Sequence, residues 1–421
     1  MRLRVIMLNF LIFSSLFLKL LAQPNFEAVK ENLVEIKSID IYDEGYLGYE
    51  SFKQEIGNKT IVMLGEQTHG HGTTFTAKTK IIKYLVENMN FDVIAFESSF
   101  YEINKIWESD IEFSKKVDSV KSEIYGIWSK TNETLAFFEY IKQKGASIDL
   151  TGFDCQHEMP YGKANYVRDF NNFLKQKKLP ITDNIEYSKF ENTLRKLIKF
   201  DLKTKPSAKE LGIFNKILDL VKSQLENSTL DAETSFWIQE ISSLKKETRS
   251  AWNPTNLKGV SRFAARDSAM AENLLWLVNN KYKGRKIIVW AASYHIAKNK
   301  EKMERTKWLD VEKLQTMGNI VDKNLPGKVY GLGFICSEGR YSEWYAKDSP
   351  TYPINPSPSS MESLLAKAPY NYAFLNMKQL KNEKYFKMAG TDHFETSAVW
   401  NKIFDGVFYI RKMNPPTYLS K

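Results

Sequence analysis

The sequence predicts an α/β protein: a mostly parallel central sheet flanked by helices, with a helical insertion. Three observations carry this. Short apolar runs alternate with amphipathic helical stretches along most of the chain. One long block, about 166–250, breaks the alternation with helical periodicity and little strand character. Ionisable residues gather just past the ends of the predicted strands, where ligands bind in open parallel sheets.

The elements follow in order. Arg2 and Arg4 precede an apolar stretch, Val5 to Leu21, that closes at Ala22-Gln23-Pro24. This charged, apolar, small-residue layout reads as an export signal over residues 1–22, cleaved after Ala22. The same stretch is near the lower length limit for a membrane anchor. The expectation is an exported protein, periplasmic or secreted, with one domain over 23–421 and no stable membrane insertion once the leader is gone. Lys59 to Leu64 reads as a strand, and Thr74 to Val86 as a helix with Thr73 or Thr74 at its N-cap. Phe91 to Phe96 is a second strand, Thr134 to Lys142 a helix, and Ser147 to Phe153 a third strand. After the helical block comes a long helix, roughly Ser261 to Asn280. Arg285 to Ala292 and Lys328 to Cys336 are further strands. Past a Pro/Ser-rich loop at Ser349 to Ser360 come the apolar runs Tyr372–Leu375 and Gly406–Ile410.

Composition narrows the function. The 421 residues carry a formal charge of +10; Arg2, Arg4 and Lys19 lie in the leader, which leaves +7 on the rest. The lysines are dispersed among acids, as at Lys298, Lys300, Glu301, Lys302 and Glu304. That pattern marks a solvated face, so no nucleic-acid partner is expected. Aromatic residues make up 13% of the chain, which argues against disorder. Cys155 and Cys336 are too few for a disulfide framework and read as two buried thiols or a single bridge.

The chemistry concentrates at strand ends. Glu66 and His69 leave the first strand, Glu97 the second, Asp154 the third, and His295 follows the fourth. In a parallel sheet these ends share one edge, so the side chains can converge. Glu66, His69, Glu97 and His295 are the candidate catalytic residues. An acid beside an imidazole suits proton transfer. Arg262, Arg266, Met270 and Asn273 share one face of the long helix, which brings a cation toward that edge. Arg266, Asp154 and Lys78 are the candidate substrate-binding residues; Lys78, nine residues past His69, either reaches the site or faces solvent. His71 reads as a supporting residue. His157 and His393 have no partner apparent in the sequence and read as structural.

Several of these segments together resemble the erythromycin esterase family. They are Gly65-Glu66-Gln67-Thr68-His69-Gly70, Phe96-Glu97-Ser98, Gly152-Phe153-Asp154, the stretch from Arg266 to Asn273, and Val289-Trp290-Ala291-Ala292-Ser293-Tyr294-His295. Met317-Gly318 and Tyr330-Gly331-Leu332-Gly333-Phe334 fit its later part, so the resemblance spans about residues 35–412. It implies an α/β core with helical additions. It also implies macrolide-lactone hydrolysis in the members that confer antibiotic resistance, with a histidine matching His69 activating water and acids matching Glu66 and Glu97 assisting. The chain departs at one motif. The family's Trp-Ala-His-Asn-x-His reads Trp290-Ala291-Ala292-Ser293-Tyr294-His295 here, so the first histidine and the asparagine are absent.

The combined expectation is a hydrolase that cleaves a small-molecule ester or lactone by general-base activation of water, without a cofactor. There is no Gly-x-Ser-x-Gly elbow to supply a serine nucleophile. Two alternatives stand beside it. Glu66, His69, Glu97 and His295 are a two-nitrogen, two-oxygen set that suits a divalent metal. A secreted small-molecule-binding protein on a hydrolase scaffold would also fit the missing histidine and asparagine.

Overall fold

The computed structural model describes residues 26–179, 181, 184–199, 201, 203–252, 260–304, 315–343, 349–381 and 384–419, the side chains of 260–262 excepted. The leader at residues 1–22 and the Arg262 side chain therefore lie outside the described residues. Among those described, no helix is long and apolar enough to cross a membrane.

The strands are β1 (Leu33–Ile36), β2 (Ile61–Glu66), β3 (Val93–Ser99), β4 (Asp149–Asp154), β5 (Ile287–Ala292), β6 (Val329–Ser342), β7 (Thr351–Pro353) and β8 (Tyr372–Asn376). They continue with β9 (Phe386–Met388), β10 (Thr396–Ala398) and β11 (Gly406–Met413). The main sheet runs β1-β8-β11-β6-β2-β5-β3-β4, with β7 paired to β6. From β11 to β4 every neighbour is parallel. The antiparallel pairs of this sheet are β8 with β11, β1 with β8, and β7 with β6, so β1 again points along β11. Strands β9 and β10 form a separate antiparallel pair.

The apolar runs are continuous because both faces of the sheet are covered. Period-two alternation divides them between two cores. Ile61, Met63, Val93, Ala95, Ile287 and Val289 face one core. Val62, Leu64, Ile94, Phe96, Ile288 and Trp290 face the other.

The helices that matter for the site are α1 (Gly72–Met89), α2 (Phe100–Trp107), α3 (Pro160–Gln176), α4 (Tyr187–Ile198), α5 (Ala208–Glu226), α6 (Ala232–Trp252) and α7 (Val260–Trp276). Helices α3 to α6 are the helical block, which begins at Pro160 rather than near residue 166. Helix α7 continues as a π-helical turn over Leu277–Lys281.

The expected N-cap of α1 is corrected. The helix starts at Gly72 with His71 at the cap position and no side-chain cap bond. Thr73 Oγ1 instead accepts the backbone N–H of Asn414 at 2.9 Å. The C-terminal segment crosses there so closely that a Cβ on Gly72 would lie 2.7 Å from Pro416. A second close crossing fixes the loop before α1. A Cβ on Gly70 would lie 1.7 Å from the carbonyl oxygen of Ser342, so the β6 end presses directly on the Glu66–His71 turn.

The helical block is held to the sheet by a buried ion cluster. His157, three residues beyond β4, donates from Nδ1 to Glu247 Oε2 and from Nε2 to Glu240 Oε1, both at 2.8 Å. Both acids are on α6, and Tyr166 of α3 donates to the same Glu240 oxygen at 2.9 Å. Burial alone would lower the histidine's affinity for a proton, but Glu247 and Glu240 outweigh it and hold it well above the usual imidazole range. Glu102 of α2 is buried beside this cluster, and burial holds it well above the usual carboxylate range. His157→Leu strands two buried carboxylates and is expected to cost about 3–5 kcal/mol, measured by urea unfolding. A loss under about 1 kcal/mol would show that the cluster is not what anchors α6. The raised histidine binds its proton more tightly in the fold. Its stabilisation is therefore complete below the unfolded imidazole range and is lost as alkaline pH strips the folded residue.

Candidate active site

Four adjacent strands, β2, β5, β3 and β4, deliver the candidate residues along one sheet edge. The register places Glu66 beside Ala292, and Phe96 beside both Trp290 and Gly152. The short helix Ser293–Ile296 then folds back over β2, where Ser293 Oγ donates to the Gly65 carbonyl at 2.7 Å. A Cβ on Gly65 would meet Ile296 Cδ1 at 2.5 Å, so this crossing requires glycine.

Two clusters result. In the first, Glu66 is fully buried. Its Oε1 accepts from His69 Nδ1 at 3.0 Å and from Trp128 Nε1 at 2.9 Å, while its Oε2 takes the Lys78 ammonium. Lys78 is also fully buried; it donates to the Ala291 carbonyl at 3.0 Å and lies 4.9 Å from the Trp290 ring centre. Burial pushes the Glu66 carboxyl up, but Lys78 and His69 pull harder and leave it below its ordinary value. Burial likewise lowers Lys78 from the usual lysine range, against the opposing pull of Glu66. An ionised Glu66 accepts only, so the His69 proton sits on Nδ1 and the lone pair on Nε2. The His69 side chain is 19% exposed, and Trp128 packs edge-on to its ring at 5.1 Å.

The second cluster is built on Arg266. Its Nη2 donates to Glu97 Oε1 at 2.8 Å and to Asp154 Oδ2 at 2.5 Å, and Nε reaches both Asp154 oxygens at 3.2 Å. Glu97 Oε2 accepts the Ala292 backbone N–H at 2.9 Å. His295 is clamped from both sides, with Nδ1 2.9 Å from Asp267 and Nε2 3.2 Å from Glu97. Burial would lower His295, but the two acids raise it to about 9. It is therefore an imidazolium at neutral pH. Arg266 Nη1 lies 3.1 Å from His295 Nε2; because that nitrogen already gives its proton to Glu97, Nη1 is packed against it rather than bonded to it. Burial raises Glu97 in isolation, and His295 with Arg266 brings it well below the carboxylate range. The charges of His69 and Glu97 interact, which joins the two clusters.

The structure thus brings together Glu66, His69 and Lys78 in one group and Glu97, Asp154, Arg266 and His295 in the other. Sequence reasoning missed Trp128, Tyr125 and Asp267. Tyr125 donates to Asp154 at 3.0 Å, and Asp267 also accepts the Met317 backbone N–H at 2.9 Å. Asp267 adjoins Arg266 in the sequence and was within reach of inference, whereas nothing marked Trp128. His71 lies buried, and burial lowers it to about 3, so it packs as a neutral ring against Tyr341. His393 pairs with the adjacent Asp392 at 2.6 Å. Cys155 and Cys336 are both free and buried, so they do not pair. Among the described residues, no group of three or more His, Cys, Asp and Glu is disposed to hold a metal ion.

An α/β scaffold that presents an acid-paired imidazole opposite a guanidinium and an imidazolium has the make-up of a hydrolase. The comparisons with known proteins agree. The erythromycin esterase profile matches residues 86–413, and the chain belongs to that family. That match begins after the Glu66–His69 turn. The putative hydrolase YbfO of Bacillus subtilis (strain 168) is 28% identical over 87% of this chain and 87% of its own length. The erythromycin esterase type II of Escherichia coli is 22% identical, covering 92% of this chain and 97% of its own. Among solved structures, the erythromycin esterase mutant EreC in its open conformation superposes with a TM-score of 0.69 at 15% identity, covering 91% of this chain and 98% of that one. The family and its hydrolase-named relatives support a hydrolase.

Proposed function

We propose that this hydrolase cleaves a carboxylic ester or lactone by direct attack of water. The observation that carries the reading is the buried Glu66 carboxylate fixing the His69 tautomer at the sheet edge that also holds Arg266 and His295. His69 Nε2 takes a proton from water as its oxygen bonds to the carbonyl carbon. Glu66 stabilises the resulting imidazolium, as the acid of a hydrolase triad does. The carbonyl π electrons move to oxygen, where the Arg266 Nη1 hydrogens receive the charge. Collapse breaks the C–O bond, and the alkoxide takes from the His69 imidazolium the proton that water gave it. General-base assistance is worth about a hundred- to ten-thousandfold, and an oxyanion donor on the order of 3 kcal/mol.

The charge pairing supports a metal-free route. Lys78 sits on Glu66 and Arg266 on Glu97, so both carboxylates a divalent ion would need already hold cations. A screen of macrolides, aryl esters and acylated sugars tests the reading, run with and without chelator. Turnover that survives chelation supports it; turnover abolished by chelator and restored by one metal sinks the metal-free mechanism. The macrolide arm bears on the substitutions at Ala292 and Ser293, where the resistance-conferring members carry His and Asn.

The pH profile follows from His295. A group raised to about 9 is protonated at neutral pH, and its charge helps hold Glu97 beside Arg266, so turnover that depends on that charge falls as pH rises through that value. His295→Gln should remove that descending limb. A limb that persists there assigns the titration elsewhere. The charged, apolar, small-residue pattern from Arg2 to Ala22 supports the proposal that the protein is exported. Exported protein should begin at Gln23 on N-terminal sequencing; an intact Met1 would refute the leader.

A further inference from the structure

The charged centre continues into an aromatic corner that the hydrolytic steps do not use. Tyr294 lies next to His295, and their ring centres are 5.2 Å apart. Phe263 sits three residues before Arg266, hence on the same face of α7. Its ring centre is 6.3 Å from that of Tyr294, with the planes inclined at 61°. Phe263 is 51% exposed, although a large apolar side chain normally finds cover. On the other side of the corner, the buried Lys300 Nζ lies 3.1 Å from the Tyr294 ring centre, without a hydrogen-bond partner among the described residues, and burial lowers it to about 7.

We propose that Phe263 and Tyr294 form the subsite for an uncharged saturated ring in the substrate, such as a pyranose, carried beside the ester; this rests on the hydrolase reading of the same site. Two inclined aromatic faces present the broad polarisable surface that a ring of axial C–H bonds packs against. Lys300 decides the charge preference. An aromatic face attracts cations through its quadrupole, and below about pH 7, where Lys300 is protonated, the cation seated on Tyr294 draws that density toward itself. The ring's other face then offers little to an ammonium group but keeps its dispersion contact with a neutral ring.

The test compares ethyl acetate, a monoacetylated methyl glucoside and the matching acetylated glucosamine. Wild-type protein is expected to prefer the neutral sugar ester. In Phe263→Ala and Tyr294→Leu, the ratio of kcat/KM for the neutral sugar ester to that for ethyl acetate should fall about tenfold, through KM. At about pH 6, where Lys300 carries its proton, Lys300→Met should narrow the discrimination against the amino sugar about threefold. An unchanged ratio in both aromatic variants overturns the subsite, and an unchanged discrimination in Lys300→Met overturns the charge preference. If wild-type protein cleaves no ester at all, the hydrolase reading fails by itself. The subsite is then judged by saturation-transfer NMR with methyl glucoside. Transfer that weakens in Phe263→Ala upholds the subsite, and no transfer to wild-type protein overturns it.

Discussion

His69→Ala is expected to lower kcat by about a thousandfold while the protein stays folded. The two halves of that expectation have separate grounds. The imidazole combines partial exposure with a tautomer already set by a buried carboxylate. Its side chain is partly exposed, so truncation opens little cavity and leaves the Lys78–Glu66 pair in place. Glu66 also retains the Trp128 donor. Circular dichroism and thermal unfolding would check the fold, and steady-state kinetics on the best ester the rate. More than a tenth of wild-type turnover in His69→Ala would move the base to another residue. Glu66→Gln is the less clean variant, because it leaves the buried Lys78 ammonium without its counter-charge.

Arg266→Met should do the opposite, with damage to the fold as large as damage to the reaction. The guanidinium sits between Glu97 and Asp154, both almost wholly buried. Removing one partner of a buried ion pair costs about 3–5 kcal/mol, mostly from the stranded charge. Asp154→Asn added to Arg266→Met should recover part of that stability and none of the turnover. Urea unfolding of the single and double variants measures the first, and ester hydrolysis the second. A single variant within about 1 kcal/mol of wild type would mean that the cluster is hydrated and weakly coupled.

Much of this site could be read from the sequence because its members are tied to strand ends. A strand's exit is visible where an apolar run stops, and Glu66, Glu97 and Asp154 all fall there. Lys78 and Arg266 were visible as helix positions but not as ion-pair partners, since nothing local says which acid each one meets. His157 illustrates the limit: its two partners lie 83 and 90 residues away on α6. Their pairing depends on how the helical block docks, which no local period encodes. Trp128 escaped for the same reason, being 62 residues from Glu66. The N-cap of α1 was misplaced because Thr73, a good cap by type, is diverted to Asn414 across the molecule. The reversed direction of β8 could not be foreseen either, because strand direction is set by partners far along the chain.

Strand β11 has a consequence for biosynthesis. It lies inside the sheet, between β6 and β8, yet it is made from residues 406–413. The residues just after it brace the turn that carries His69, through Thr73 and Gly72. Until residues 406–413 arrive, in synthesis or in export, β6 therefore keeps one long edge bare. Contacts this distant in sequence close slowly and leave adhesive strand edges exposed meanwhile. A chain cut short before Gly406 is expected to aggregate through that edge rather than fold to a smaller enzyme.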